Sequence, residues 1–191
     1  MKKKILSLAL VLSLAAILAG GTFAYVSVNE VATNVITTDG VSIHLNEKTT
    51  AKLDENGNPT DYADFDLGLL MPSVEVSKIV TVTNEAGSAN AYIRVKVERE
   101  IIKADGTAGD AQLLEIDFNT TDWTYSDGWY YCNQAVKGGK TTPRLFSTVT
   151  FAPEMGNDYQ NSTAAVYVKA QAVQSANNGS DPMTAKGWPR S

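Results

Sequence analysis

The residue types that most often carry chemistry are scarce in this chain. There is one histidine, His44, and one cysteine, Cys132. A catalytic zinc site needs three protein ligands, usually with histidine among them, and no H-E-x-x-H stands in the sequence. His44 falls in the polar phase of an alternating stretch, which predicts a solvent-facing side chain. Cys132 could serve as a nucleophile or an oxidation sensor, but its single histidine has no third group to orient it. A small residue packed beside an aromatic hairpin is the simpler reading.

Oxygen donors cluster in "LDENGNPTDYADFD", which offers Asp54, Asn56, Asn58, Asp61, Asp64 and Asp66. Calcium wants oxygens at close spacing, but Pro59 interrupts the EF-hand pattern and no glutamate closes it. A solvated turn is weighed against a calcium loop here. Trp123, Trp129 and Tyr130 could form an aromatic surface that stacks sugars, against the commoner use of such residues in a core or on a sheet face. Paired carboxylates are too scattered to indicate a glycosidase, and neither a phosphate loop nor a serine elbow is present. With 16 basic and 21 acidic residues, a formal charge of -5, nucleic acid is a poor partner. The expectation is a protein with no catalytic residue, no cofactor and no metal.

The elements around these residues read as strands. Val41, Ile43 and Leu45 alternate with polar neighbours, and Val74, Val76, Val80 and Val82 share one phase. Ala91, Ile93, Val95 and Val97 alternate with Tyr92, Arg94, Lys96 and Glu98; Ala164, Val166, Val168, Ala170 and Ala172 repeat the pattern near the end. Such period-2 runs are half-buried strands. Asn56-Gly57, Asp105-Gly106 and Asp127-Gly128 are hairpin turn signals, the last between Trp123-Thr124-Tyr125 and Trp129-Tyr130-Tyr131. Helical spacing is absent after the first 24 residues, apart from one turn near Ala111. The fold class expected is all-β, an antiparallel sandwich of jelly-roll type.

The first 24 residues have a different character. Lys2, Lys3 and Lys4 precede an apolar run over residues 5–19, Gly20 and Gly21 break it, and Thr22-Phe23-Ala24 puts small residues at the -3 and -1 positions of a cut. That is the layout of a secretory signal peptide, with cleavage before Tyr25; an uncleaved membrane anchor is the alternative. The expected organisation is a signal over residues 1–24 and an N-terminal strand over 25–35. A sandwich over 36–176 and an irregular tail over 177–191 follow.

These stretches bring a family into view. "MKKKILSLALVLSLAAILAGGTFAY", with its G-G-T-x-A ending, resembles the signal peptides handled by the SipW-type signal peptidase of Gram-positive bacteria. "ATNVITTDGVSIHL", "VSKIVTVTNEAGSANAYIRVKV", "DGWYYCNQAVKGGKTTPRLFSTVTF" and "YVKAQAVQSANN" resemble, in this order, conserved stretches of that enzyme's cargo, the TasA and camelysin-like group. The resemblance implies a jelly-roll subunit of extracellular biofilm-matrix fibres. Its partners would be the signal peptidase, further copies of itself or related matrix subunits, and it would meet the membrane only through an uncleaved signal. In fibre-forming relatives the segment after the cut completes the sheet of the next subunit. Carried over, that donor strand starts at Tyr25 and includes Val26, Val28 and Val31, with Val26 and Val28 on one face and Tyr25 and Val31 on the other; a flexible or self-paired first strand over residues 25–35 is the alternative. Two alternatives stay open: a monomeric surface module binding glycans through Trp123, Trp129 and Tyr130, and, more remotely, a camelysin-like metalloprotease, for which the zinc ligands are missing.

Overall fold

The computed structural model of the chain describes residues 26–28, 34–36, 40–62 and 72–189. Twelve strands run in chain order: β1 (Val26–Val28), β2 (Asn34–Ile36), β3 (Ile43–Leu53), β4 (Pro59–Asp61), β5 (Glu75–Asn84), β6 (Ala91–Ile102), β7 (Leu114–Ile116), β8 (Trp123–Ser126), β9 (Trp129–Cys132), β10 (Lys140–Thr141), β11 (Phe146–Phe151) and β12 (Ser162–Gln174). They form two sheets. The first has the order β1-β12-β6-β9-β8, with β2 also on β12; the second has the order β4-β3-β5-β11-β7, with β10 also on β5. The protein is an all-β sandwich, antiparallel throughout except where β1 and β2 meet β12 in parallel.

The alternating residues build the layer between the sheets. Ile93 and Val95 of β6 and Ala164, Val166, Val168, Ala170 and Ala172 of β12 are buried in one cluster. They share it with Ile43 and Leu45 of β3, Val80 and Val82 of β5, and Phe146, Val149 and Phe151 of β11. Removing this apolar surface from water, at roughly 25 cal/mol per Å2, is the main stabilising term. His44 lies in the opposite phase of β3 and is exposed.

The turns follow their residue types. Asp127 and Gly128 have φ of 49° and 80°, the positive pair that a two-residue type I′ hairpin requires, and they set Ser126 opposite Trp129. In the Asn56-Gly57 turn, Asp54 Oδ1 accepts from the backbone N–H of Asn56 and Asn58 at 2.9 and 2.8 Å. These bonds, first of all that from Asn58, lower the Asp54 carboxyl below its ordinary range. Asp54 thus caps its own turn.

Three features of the structure add to the sequence expectation. First, the sheet takes in β1 and β2, ahead of residue 36. Second, residues 177–189 contain no strand but belong to the body of the fold. Pro182 and Ala185 are buried, and Tyr92, Val173, Ala185 and Trp188 form a second apolar cluster. The tail lies along the outer face of the first sheet, because that face carries apolar Tyr92 and Val173 in its nominally polar phase. Third, Lys78 sits in the inward phase of β5 between Val76 and Val80 and is 4% exposed. Its ammonium donates to Glu47 Oε2 and lies 4.1 Å from the centre of the Tyr62 ring, so a charge is accommodated by an acid and an aromatic face. Burial, then the nearby Glu47 carboxylate, pushes the Tyr62 phenol up to about 12. The expected signal helix lies outside the described residues.

Candidate functional site

β12 is the longest strand, and its two flanks are unlike. On one flank it pairs with β6 without interruption from Thr163↔Ile102 to Gln174↔Ala91. On the other flank β1 covers only Ser162, Thr163 and Ala164, and β2 covers only Lys169, Ala170 and Gln171. Between them, Ala165 to Val168 have no described strand on that side. An edge with unpaired N–H and C=O groups is a template for a further strand.

The register along this flank is not continuous. Val26 pairs with Ser162 and Val28 with Ala164, while Asn34 pairs with Lys169 and Ile36 with Gln171. The paired positions differ by 136 in β1 (162 − 26) and by 135 in β2 (169 − 34), so the two strands do not share one register. Side chains alternate along a strand, so a shift of one residue exchanges its faces. Val26, Val28 and Val35 come to stand opposite the inward residues Ser162, Ala164 and Ala170. Thr22, Ala24, Tyr25 and Val31 lie outside the described residues.

Two buried polar atoms on β12 have no hydrogen-bond partner among the described residues: Ser162 Oγ and Gln171 Nε2. Both residues are 0% exposed. Each unmet buried group costs about 1–3 kcal/mol. The orientation of the Gln171 amide is dictated by its neighbour: Arg94 donates from Nε and Nη2 to Gln171 Oε1 at 3.0 and 2.7 Å. The amide NH2 is turned away from the guanidinium as a result. Near the Ser162 end, Tyr62, Val76, Lys78, Val149, Ala164 and Val166 line an apolar hollow between the sheets.

The three aromatic residues grouped as a candidate surface are separated. Trp123 pairs with Cys132 on the inner face of the β8–β9 hairpin and is 1% exposed; it is a core residue. Tyr130 shares that face and stacks on Phe118, the centroids 4.3 Å apart. Trp129 points to the outer face, as its odd phase requires, and the Arg94 guanidinium covers it at 4.1 Å. Trp188 of the tail closes the other side, 4.5 Å from the same guanidinium, and Arg94 Nη1 donates to the Tyr131 hydroxyl at 3.1 Å. Arg94 has no carboxylate partner among the described residues; ring faces and neutral oxygens hold its charge. These contacts rule out a single platform built from Trp123, Trp129 and Tyr130. Tyr125, on the hairpin's inner face beyond the core, is the exposed aromatic there.

Cys132 is a free, buried thiol, and burial is the main cause that pushes its pKa up, which disfavours the nucleophilic thiolate. It points inward from the first sheet, while His44 points outward from the second, so the two are not brought together. Among the described residues no three His, Cys, Asp or Glu side chains group as a metal site; Asp64 and Asp66 are outside them. Sequence reasoning missed Arg94, Gln171, Trp188 and Ser162. The signal for the first was present, since Arg94 lies in register with Tyr131 on paired strands, but nothing in the sequence marks that pairing. Comparison with protein-family models, curated proteins and solved structures finds no match to this chain.

Proposed function

We propose that this chain is an exported structural protein of the extracellular matrix, a fibre-forming or fibre-accessory subunit that assembles by strand exchange along the outer flank of β12. The observation that carries the reading is the contrast between the flanks among the described residues: parallel pairing in two different registers, by β1 and β2, where β6 makes one continuous antiparallel pairing on the other side. A segment paired in this way can leave its own sheet and be replaced by a strand from another molecule. Backbone pairing supplies affinity and the alternate side chains supply specificity. An exchange of identical elements between copies keeps the contacts of the closed form. Because the contact is head to tail and does not close on itself, it propagates a filament. The signal-like sequence before Tyr25 fits this reading: export and cleavage by a SipW-type peptidase would free the segment outside the cell.

The test uses the mature chain, residues 25–191, and its Ser27→Pro variant, in which the middle of β1 loses its backbone donor. Electron microscopy and light scattering should show filaments for the first and monomers for the second. A mature chain that stays monomeric at high concentration, with seeds and with other matrix subunits added, would overturn the proposal.

A further inference from the structure

The described residues hold three ion pairs, and one is unlike the others. Lys48–Asp61 and Lys96–Glu98 lie at the surface, with every side chain more than a third exposed. Lys78 and Glu47 keep only 5% and 13% of their side-chain surface. Both fall in the inward phase of their strands: Glu47 follows Ile43 and Leu45 along β3, and Lys78 sits between Val76 and Val80 on β5. Glu47 is in register with Val80, so Lys78 stands diagonally across from it, two residues along. The Lys78 ammonium touches Glu47 Oε2 at 2.5 Å, and the face of the Tyr62 ring lies 4.1 Å from the same nitrogen. Lys78 also borders a hollow of about 20 Å3, room for one water. Val76, Leu114, Val149, Phe151 and Val166 give that hollow hydrocarbon walls. Two ions held in such a place carry a desolvation penalty that can exceed their attraction.

We infer that Lys78 and Glu47 join covalently, through an amide between Nζ and Cδ that ties β3 to β5 inside the sandwich. The contact described above is the state from which the bond forms. The step balances without a co-reactant. The ammonium passes one proton to the carboxylate that it touches, and the neutral amine attacks Cδ. The Nζ–Cδ bond forms, and the bond from Cδ to one carboxyl oxygen breaks. That oxygen leaves as water with two of the three ammonium protons; the third stays on the amide nitrogen. Nothing is oxidised or reduced. Bulk water favours the separate ions, whereas a dry layer favours the product, because the amide carries no charge to desolvate. The hollow beside Lys78 has room for the water that departs. Glu47 and the Tyr62 ring hold Nζ in place, which turns an encounter between two groups into a unimolecular step. The consequence is a staple in a chain whose single cysteine cannot make an internal disulfide. The amide closes the loop from residue 47 to residue 78 and restricts the unfolded chain as a disulfide does, but no reductant opens it.

Mass spectrometry of the mature chain, residues 25–191, tests this on the unsubstituted protein. The denatured chain should weigh one water less than its sequence. Trypsin should leave Lys78 uncut and release residues 25–48 joined to residues 53–94. Lys78→Met and Glu47→Ala should each restore the full sequence mass. Glu47→Gln keeps the shape of the side chain and should lose ammonia in place of water, ending as the same product with the same mass as the unsubstituted chain. These outcomes are independent of strand exchange, which the filament assay reads. An unsubstituted chain at its full sequence mass would make Lys78–Glu47 an ion pair only and overturn the inference. A loss of water that persists in Lys78→Met would belong to a cyclised Asp-Gly step such as Asp105-Gly106, and would overturn it as well.

Discussion

The two flanks of β12 belong to the same strand and the same sequence, yet they are held by different means. Toward β6 the pairing is antiparallel and uninterrupted, and both strands send small or branched residues into a shared core. Away from β6 the pairing is parallel, comes in two short pieces and changes register between them. Ser162 Oγ and Gln171 Nε2 have no hydrogen-bond partner among the described residues. Parallel pairing is slightly weaker per residue, and opening free energies within one protein range from near zero to the global value. One strand is thus paired continuously on one side and in two registers on the other, and continuity of register makes the difference.

The largest effect should come from breaking the fixed flank. Lys96→Pro removes a ladder donor in the middle of β6, opposite Lys169, and should cost about 3 kcal/mol or more, the scale of a proline inside a regular element. Chemical denaturation would read it. Ile93→Ala, at a 0% exposed position of the same strand, should cost about 2–5 kcal/mol. If either change were nearly neutral, the β6 flank would not be the frame. Arg94→Ala tests the roof over that frame. It strips Trp129 and Trp188 of their shared cation and should cost about 1–2 kcal/mol, with a red shift of tryptophan fluorescence as the tail loosens. Ser27→Pro on the exchangeable flank should cost the isolated chain less than about 1 kcal/mol, near the net value of a hydrogen bond. Hydrogen exchange should show β1 amides opening long before those of β6.

The smallest effect is confined to high pH. The folded-state phenol of Tyr62 sits at about 12, above its ordinary 10.0. The folded protein therefore keeps this proton longer than the unfolded chain does. The stability contributed by the neutral phenol is complete below pH 10 and is lost as pH rises through 12. Absorbance at about 295 nm, where the ionised phenol absorbs, should show Tyr62 among the late tyrosines, with Tyr130 and Tyr167 also raised, and the component near 12 should disappear in Tyr62→Phe.

Local chemistry made much of the fold legible. The alternation of Ile93, Val95 and Val97, or of Val166, Val168 and Ala170, has one physical use, a strand with one buried face. Asp127-Gly128 allows the positive φ pair that few other dipeptides tolerate. His44 facing water followed from phase alone, and a packed Cys132 followed from its lack of a catalytic partner. The aromatic residues show where such reasoning stops. Spacing of two put Trp123 and Trp129 on opposite faces of a hairpin, but sequence proximity suggested one surface.

By itself the sequence determined that this chain would be a β-sandwich with tight turns, because strand phase and turn conformation are decided within a few residues. It could not determine which strand lies beside which. That pairing, available only in the folded molecule, set Arg94 between Trp129 and Trp188 and paired Lys78 with Glu47. It also laid the tail on the first sheet and set Ser162 in register with Val26 and Gln171 with Ile36. Each of these contacts joins residues far apart in the chain. Their energies depend on burial, and burial exists only once the two sheets have closed on each other.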